Sequence, residues 1–358
     1  MPHPVKPKLP FVSIIVLNYN GKKWLKACFD SVRKLNYPRN KYEVIMGDNA
    51  SADDSVAFVK KNYPWIKIIR FDKNYGFCKS NNDCAKQAKG EYLAFLNNDT
   101  YVDKNWLIEM VKGVLSEKDV VSVGCKMLKP YKINGKSIID YAGGKISPDG
   151  GAIYQGLFDI DKKEYNKKKY TGFGCGAGVL VEKKFFISTG GFDEYYFAGY
   201  EEIELGLRVW QYGYKALYIP SAIMYHERIG TFGDYFNPDM LARNVRNRFY
   251  FILKNFEIKT ILIFLLWAIL KLFFEIFYFL LKTETKASLA TLRGMLWFLR
   301  DVENKSLFRR VIVKRKEINQ NKKILDKELY KKGIVSTIFE KIEYGGSCLR
   351  VVLTKEFH

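Results

Sequence analysis

The sequence predicts an α/β protein in which a parallel, doubly wound sheet is followed by a helical extension that associates with a membrane. Two observations predict the sheet. Short runs of buried-strand character alternate with helical segments from residue 11 to about residue 220, and those segments have the length of the crossovers that join parallel strands. A third observation predicts the extension, since long apolar and basic stretches replace this alternation after residue 250.

The predicted elements follow one another in a regular order. The first strand, Phe11–Asn18, is a continuous apolar run, and apolar residues recur at helical spacing in the next segment, Gly21–Leu35. Further strands are predicted at Tyr42–Gly47, Ile66–Phe71, Glu91–Leu96 and Val120–Val123. Further helices are predicted at Ser51–Asn62, Lys79–Lys89 and Lys104–Leu115. Parallel strands end at one edge of their sheet, which is where open α/β sheets bind ligands.

Three of the predicted strands end in polar side chains, which are Asn18 and Asn20, Asp48 and Asn49, and Asn98 and Asp99. At any one of these ends, helix capping and turn formation are the simpler explanation, because Asp and Asn favour both. Asp99 differs, because a lone carboxylate that closes an apolar strand suits a hard cation bound together with phosphate oxygens. We therefore expect a ligand site at this edge of the sheet.

The composition excludes several classes of protein. The chain has 358 residues, of which 48% are hydrophobic and 16% aromatic, so it is not disordered as a whole. Its six cysteines show no C-x-x-C spacing, so neither a zinc site nor a redox pair is indicated. The glycine-rich stretch Gly172–Gly178 precedes a strand-like run and not a helix, which argues against a dinucleotide-binding loop. The net charge of +21 indicates anionic partners such as nucleic acid, an anionic membrane, nucleotides or lipid phosphates.

One segment, Thr260–Leu281, is apolar except for Lys271 and Glu275. As a helix its 22 residues would be about 33 Å long, close to the thickness of a bilayer core. Lys271 lies near its middle, where a charge costs roughly 2.5–3.5 kcal/mol, although Glu275 four residues later could pair with it. Two membrane placements fit, one span or a helix in the interface, and the core helix of a soluble protein is the alternative.

The residues after this segment also have features typical of membrane-associated segments. In Ala287–Arg300 a stripe of leucines at helical spacing predicts an amphipathic, in-plane helix. Lys305–Lys332 contains 11 basic and 3 acidic residues, which favours attraction to anionic lipid, with a solvated helix face as the alternative.

Four stretches carry a resemblance to a known family: VSIIVLNYNG (Val12–Gly21), DNASADDS (Asp48–Ser55), the stretch from NYGF to NNDT (Asn74–Thr100), and GGFDEYYFAGYEEIELGLRVWQYGY (Gly190–Tyr214). Their order resembles the family 2 glycosyltransferases of GT-A fold, and most of all the rhamnosyltransferase-like members. The predicted domains are an N-terminal tail (1–10), a GT-A domain (11–250), membrane-associated helices (251–304) and a basic C-terminal tail (305–358).

The resemblance implies roles for the polar strand ends. The donor nucleotide would lie against Asn18, Asn20, Asp48, Asn49 and Asn98. Asp99 and His226 would bind a divalent cation, Mg²⁺ or Mn²⁺. Asn97 stands at the first acidic position of the D-x-D element of the family, so the metal would also depend on the diphosphate and on water.

The resemblance also implies a general base on the acceptor side. Glu202 stands at the position of the catalytic carboxylate, with Glu201 and Asp193 as acceptor-side neighbours. On a helix Glu202 would share a face with Gly206, which we expect to leave room for substrate, whereas Glu204 would pair with Arg208 four residues later.

Together these features predict an inverting, metal-dependent transfer of one sugar from a dTDP- or UDP-sugar to a lipid-linked or cell-surface glycan acceptor. The expected location is the cytoplasmic face of the cell membrane, because the first ten residues lack the apolar region of a signal peptide. The Q-x-x-R-W motif of processive members is absent, which favours single transfer. An inactive, transferase-like membrane scaffold is one alternative. A nucleic-acid-binding protein is the other, although no zinc finger, RRM or helix-turn-helix signature occurs and no nucleic-acid partner is expected.

Overall fold

A mixed β-sheet with helices packed on it forms the centre of the computed structural model, which describes residues 9–227 and 237–337. The strands are β1 (Val12–Asn18), β2 (Tyr42–Asp48), β3 (Lys67–Arg70), β4 (Tyr92–Asn97), β5 (Thr100–Val102), β6 (Val120–Ile133), β7 (Lys136–Tyr141), β8 (Gly144–Ile146), β9 (Ala152–Tyr154), β10 (Lys169–Tyr170), β11 (Gly178–Glu182) and β12 (Lys215–His226). The α-helices are α1 (Lys22–Arg33), α2 (Ser55–Asn62), α3 (Gly76–Gln87), α4 (Trp106–Val114), α5 (Lys183–Ser188), α6 (Glu201–Gln211), α7 (Pro238–Asn255), α8 (Ile258–Leu281), α9 (Thr285–Glu303), α10 (Ser306–Asn321) and α11 (Asp326–Lys331).

The sheet is parallel in its first half and mixed in its second. Strands β3, β2, β1 and β4 lie side by side in parallel, which confirms the α/β prediction. The expectation of an entirely parallel sheet is wrong, because β11 runs antiparallel to both of its neighbours, β4 and β6. Strand direction is not encoded in a short apolar run, so this pattern could not be obtained from residues 178–182 alone.

The burial of each element follows its sequence pattern. Strand β1 is apolar on both faces because α-helices cover both sides of the sheet, and Ile14, Ile15 and Val16 are fully buried. Helix α1 instead buries only one stripe, formed by Leu25, Cys28, Phe29 and Val32 at helical spacing. The strands and helices predicted before residue 124 all occur, and their ends differ from the prediction by a few residues, except that the strand predicted at Val120–Val123 continues to Ile133.

The C-terminal helices pack against the sheet domain and against one another. Helix α7 contacts α8, α9 and α10, and the predicted domain boundary at residue 250 lies within it. Gly294 of α9 lies so close to α7 that a β-carbon there would overlap the Ala242 carbonyl. Residues 305–332, predicted as a basic tail, instead form α10 and α11 in the structure, and Arg315 of α10 donates to the carbonyls of Leu253 and Phe256 at 2.7 Å. The predicted tails at 1–8 and 338–358 lie outside the described residues.

Among the described residues, α8 is the helix that is long and apolar enough to cross a membrane, with a mean hydropathy of 2.3. It starts two residues before the predicted segment and ends where that segment ends. The predicted pairing of Lys271 with Glu275 is present, with 3.6 Å between Nζ and Oε1.

Candidate active site

The carboxyl ends of β1, β2 and β4 meet at one edge of the sheet. The register of β1 and β2 places Asn18 directly opposite Asp48, and that of β1 and β4 places Leu17 opposite Asn97. The polar residues that end these strands are therefore neighbours, as the parallel arrangement predicted.

A network of side-chain hydrogen bonds joins these strand ends. The amide of Asn98 donates to Asn18 Oδ1 at 2.8 Å, and the amide of Asn18 donates to Asp48 Oδ1 at 3.2 Å and to Ser51 Oγ at 3.1 Å. All four side chains are buried. Gly21 is required beside them, because a β-carbon there would lie 2.6 Å from Asn18 Oδ1 and would overlap the Asn98 amide. The donor edge, as we call this cluster of Asn18, Asp48, Ser51 and Asn98, is thus a fixed polar surface.

Asn20 and Asn49 support the loops around the donor edge. Asn20 has a left-handed backbone (φ 50°), and its side-chain oxygen accepts from the Ala52 backbone NH at 2.8 Å. The amide of Asn49 donates to the Gly76 carbonyl at 3.2 Å, and its oxygen accepts from the Ser80 hydroxyl. Both residues lie just after the ends of β1 and β2, as the sequence predicts, and their contacts set the position of the loops.

A second cluster forms where β5 pairs with β12. This pairing puts His226 opposite Thr100, so that His226 Nε2 lies 3.5 Å from Asp99 Oδ1. On the other side of the ring, Nδ1 lies 3.0 Å from Asp140 Oδ2, and Asp140 Oδ1 pairs with Lys129 Nζ at 2.9 Å. The two predicted metal ligands are therefore brought together, although they are distant in sequence.

The surroundings of His226 favour a fixed ring orientation. Burial lowers the pKa of His226, but hydrogen bonds to Asp140 and Asp99 outweigh this effect, so that the pKa is raised above its ordinary value. Histidines that bind a metal are usually oriented in the same way: one ring nitrogen contacts a carboxylate, and the other is available to the metal. Within residues 9–227 and 237–337, no three His, Cys, Asp or Glu side chains are grouped so that they alone could hold a metal ion.

Helix α6 presents the predicted base at its first turn. The residues before it are held in left-handed conformations, with φ of 64° at Phe197, 81° at Gly199 and 82° at Tyr200. Asn247 of α7 holds this turn, because its amide reaches the carbonyls of Tyr196, Ala198 and Gly199 at 2.9–3.2 Å. Such left-handed backbone persists only where surrounding contacts impose it, so α7 fixes the start of α6.

Glu201 and Glu202 occupy different environments although they are adjacent. Glu202 Oε1 accepts a hydrogen bond from the Tyr154 hydroxyl at 2.7 Å. Glu201 is buried, and burial together with the neighbouring Glu202 raises the pKa of Glu201 well above its ordinary value. The environment of Glu201 thus favours its protonated form.

The glycine-rich stretch before β11 brings Glu202 close to the donor edge. The Asn97 backbone NH donates to the Ala177 carbonyl at 3.0 Å, so this stretch lies directly beside the end of β4. A β-carbon on Gly176 would lie 3.6 Å from Glu202 Cβ and 3.7 Å from Glu202 Oε2. A methyl group would fit at this position in ordinary contact with the Glu202 carboxylate.

The structure differs from two of the expectations for the residues around Glu202, which concern Gly206 and Asp193. The space at Gly206 is not open to a substrate, because a β-carbon there would overlap Phe173 and the Gly172 carbonyl, so that prediction is wrong. Asp193 lies in an internal ion pair with Lys254 at 2.8 Å and accepts from the Tyr250 hydroxyl at 2.7 Å. The predicted pair of Glu204 and Arg208 is present at 3.3 Å and is buried.

Residues 13–184 match the sequence model of the family described as glycosyl transferase family 2. Residues 13–184 therefore carry a glycosyl transferase family 2 domain. The match contains the donor edge and Asp99, whereas Glu202 and His226 lie beyond it. The family match thus covers the strand ends of β1, β2 and β4, and the surroundings of Glu202 and His226 are described by the structure.

Several curated proteins are similar to this chain. The O-antigen biosynthesis protein RfbC of Myxococcus xanthus is 29% identical over 227 residues, which is 61% of this chain and 17% of that protein. Glycosyltransferase AglE of Haloferax volcanii is 31% identical over 136 residues, which is 37% of this chain and 44% of that protein. Rhamnosyltransferase WbbL of Escherichia coli is 25% identical over 224 residues, which is 59% of this chain and 81% of that protein. The chain thus spans less than half the length of RfbC and of AglE.

Two solved structures share the fold. GalNAc-T7, crystallised with UDP, GalNAc and Mn²⁺, has a TM-score of 0.55 and 20% identity over 70% of this chain and 51% of that one. The mannosyltransferase PcManGT of Pyrobaculum calidifontis, in complex with GDP-Man and Mn²⁺, has a TM-score of 0.52 and 15% identity over 88% of this chain and 86% of that one. At these identities the likeness shows the GT-A fold.

Three residues of this region were not found from the sequence. Asp140 and Tyr154 contact His226 and Glu202, and Gly176 leaves the space beside Glu202. Asp140 carries a weak signal, since it is a carboxylate within an apolar strand. Tyr154 and Gly176 carry none, because their roles depend on contacts between segments that are distant in sequence.

Proposed function

We propose that this chain is an inverting, metal-dependent glycosyltransferase. It transfers one sugar from a nucleoside-diphosphate donor to a lipid-linked or cell-surface glycan acceptor. One observation carries the proposal: the Gly176–Ala177 segment brings the Glu202 carboxylate beside the end of β4, the same strand end at which Asn98 and Asp99 lie. A base beside a donor site is what displacement at a sugar carbon needs.

In the proposed reaction, Glu202 acts on the acceptor. Its carboxylate accepts the proton of the acceptor hydroxyl while that oxygen forms a bond to C1 of the donor sugar. The bond between C1 and the diphosphate oxygen breaks, and the nucleoside diphosphate leaves with the electron pair. Attack from the face opposite the diphosphate inverts the configuration at C1. The hydrogen bond from Tyr154 holds the Glu202 carboxylate in place.

The residues beside the donor edge suit a divalent cation. Asp99 and His226 face one another across 3.5 Å and would offer one oxygen and one nitrogen ligand, and phosphate oxygens and water would supply the remaining ligands. A bound cation supplies Lewis-acid neutralisation of the leaving diphosphate. Asp140 and Lys129 keep the His226 ring turned toward Asp99.

The proposed donor and acceptor rest on other observations. Asn18, Asp48 and Asn98 form a buried, hydrogen-bonded polar surface that suits a nucleoside, and we propose a dTDP- or UDP-sugar. Relatives named for O-antigen biosynthesis and rhamnosyl transfer support a cell-surface glycan or its lipid-linked precursor as acceptor. The proposed location is the cytoplasmic face of the membrane, with contact to anionic lipid.

The test is the release of nucleoside diphosphate from a panel of nucleotide sugars, with Mn²⁺, with Mg²⁺, and with a chelator. We expect turnover with one class of donor, loss of turnover in the chelator, and recovery when the metal is restored. Full activity in chelator would contradict the metal role. Failure of every nucleoside diphosphate to bind, measured by thermal shift, would instead favour the inactive scaffold.

A further inference from the structure

The exposed apolar side chains of this protein are concentrated on three helices. Among the described residues, 20 of the 27 large apolar side chains that are exposed belong to α8, α9 and α10, and six lie before residue 228. Those most exposed on α8 are Ile258, Leu262, Phe273, Phe277 and Leu281, and on α9 and α10 they are Leu289, Leu296, Phe308 and Val313. A contiguous apolar surface of this extent marks an interaction site.

The exposed residues lie on the outer side of a helical hairpin. Helices α8 and α9 are joined by a three-residue turn, and both contact α7. Phe264 and Ala268 of α8 and Gly294 and Phe298 of α9 are buried. The opposite faces of both helices point away from the sheet domain. We call the exposed faces of α8 and α9, with Phe308 and Val313 of α10, the outer face.

The polar residues in the middle of α8 are tied to the sheet domain. Lys271 Nζ pairs with Asp149 Oδ2 at 2.9 Å, and Glu275 Oε2 lies 3.4 Å from Arg248 Nη1. Asp149 and Arg248 are almost fully buried. Both contacts leave the helix on the side opposite to Phe273 and Phe277 of the outer face, since those two are 66% and 61% exposed.

We propose that the outer face lies in the plane of a lipid bilayer, inserted to the depth of its apolar side chains, and that α8 does not cross the membrane. A crossing would pull Lys271 and Glu275 away from Asp149 and Arg248 and break both ion pairs of these buried groups, and breaking a buried ion pair is strongly unfavourable. An in-plane helix keeps both ion pairs and still buries the apolar surface. This docking does not depend on the proposed transferase activity.

The surrounding charge distinguishes a bilayer from a second copy of the chain as the occupant. Lys259, Lys282, Lys286, Arg300 and Arg309 are exposed on the three helices that carry the outer face. Lysine and arginine at the border of an apolar helical face extend to lipid phosphates, as interfacial helices do. Pairing two copies through this face would instead bring like charges together.

The first experiment measures binding of the full chain to vesicles of phosphatidylcholine alone and with an equal part of phosphatidylglycerol, by flotation. We compare the wild type with Phe273→Ser/Phe277→Ser, which removes two exposed side chains of the outer face. The control is Leu115→Ser/Ile187→Ser, which removes two apolar side chains that are 45% and 43% exposed elsewhere. Circular dichroism melting confirms that both variants fold.

We expect the wild type and the control to float with the vesicles, more strongly with phosphatidylglycerol, and the outer-face variant to bind at least about tenfold more weakly. Equal binding by the two variants would overturn the proposal. So would a wild type that ignores vesicles but forms a dimer, as measured by light scattering, that Phe273→Ser/Phe277→Ser dissociates.

The second experiment distinguishes an in-plane helix from a span. Single cysteines are introduced as Lys259→Cys and Lys282→Cys, at opposite ends of α8, in a Cys348→Ser background. The other five cysteines are buried. A membrane-impermeant maleimide is applied to spheroplasts and to inverted membrane vesicles of an expressing bacterial host. We expect both positions to react from the same side, and labelling from opposite sides would overturn the in-plane placement.

Discussion

The donor edge and the base side of the site stabilise their buried polar groups in different ways. At the donor edge, neutral amides and a hydroxyl satisfy one another and Asp48 within hydrogen-bond distance. Beneath Glu202, in contrast, Lys254 Nζ lies 2.8 Å from Asp193 and 3.3 Å from Glu204, and Glu204 pairs with Arg208. The first region is joined mainly by side-chain hydrogen bonds between strand ends, and the second is joined by buried ion pairs.

The difference shows what each region needs from the rest of the chain. The donor edge is complete within β1, β2, β4 and their loops, all inside the matched residues 13–184. The residues around Glu202 need α7, because Lys254 forms ion pairs with two carboxylates and Asn247 holds the turn before Glu201. The C-terminal helices are therefore part of the catalytic fold as well as the proposed membrane surface.

The largest effect should follow from Glu202→Gln, with Glu201→Gln as its matched control. Loss of the base should lower kcat by roughly 10²–10⁴-fold while nucleotide binding is retained. Glutamine at position 201 resembles the protonated form that burial favours, so that variant should keep most of its activity. Steady-state kinetics and nucleotide titration check both, and a more severe loss in Glu201→Gln would move the base to Glu201.

A large stability effect is expected from Lys254→Met. It removes a cationic partner that Asp193 and Glu204 share, and removing one partner of a buried ion pair costs about 3–5 kcal/mol of unfolding free energy. The control is Lys26→Met, which breaks the exposed pair with Asp30 and should cost less than about 1 kcal/mol. Urea denaturation measures both, and equal costs would show that the base side does not depend on its buried charges.

The same ion pair predicts a pH dependence. Burial alone would raise the pKa of Asp193, but Lys254 and hydrogen bonds from Lys254 and Tyr250 hold it well below its ordinary value. A lowered pKa contributes stability above the unfolded pKa of about 3.9, and this contribution is lost as the pH falls toward the folded value. The stability difference between wild type and Asp193→Asn should therefore shrink below about pH 4.

An intermediate effect is expected from Asp140→Asn. This change weakens the contact that orients His226, and loss of such an outer partner typically costs 10–100-fold in metal affinity. We expect Mn²⁺ to bind roughly 10–100-fold more weakly, as measured by electron paramagnetic resonance, with UDP and dTDP binding in the absence of metal unchanged. Unchanged Mn²⁺ affinity would show that Asp140 does not orient His226 for metal binding.

The smallest effect is expected from a graded series at Gly176. Alanine fits, because its β-carbon would make ordinary contacts of 3.6–3.8 Å with Glu202 and Glu201. Valine would extend methyl groups into the space beside the Glu202 carboxylate, and we expect it to lower kcat/KM for the acceptor about tenfold or more. Nucleotide affinity should be equal in both variants, and loss of nucleotide affinity would place this space on the donor side.

The donor edge was predictable because its residues follow strands whose periodicity is clear in the sequence. Asn18 and Asp48 come together by strand register alone. The prediction failed at Gly206, because helical spacing does not reveal that Phe173 packs there, and it missed Asp140 and Tyr154 because their contacts join distant segments. The antiparallel direction of β11 and the packing of α10 and α11 on the sheet domain also come from tertiary structure.

The central claim is that Asp99, which follows β4 beside the donor edge, and His226 of β12 form one cation site. Calorimetric titration of UDP and dTDP, with and without Mn²⁺, into wild type and Asp99→Asn tests it most directly. We expect Mn²⁺ to tighten binding of a nucleoside diphosphate about tenfold or more in the wild type and to have no effect in the variant. Equal tightening in both proteins, or none in the wild type, would contradict the account.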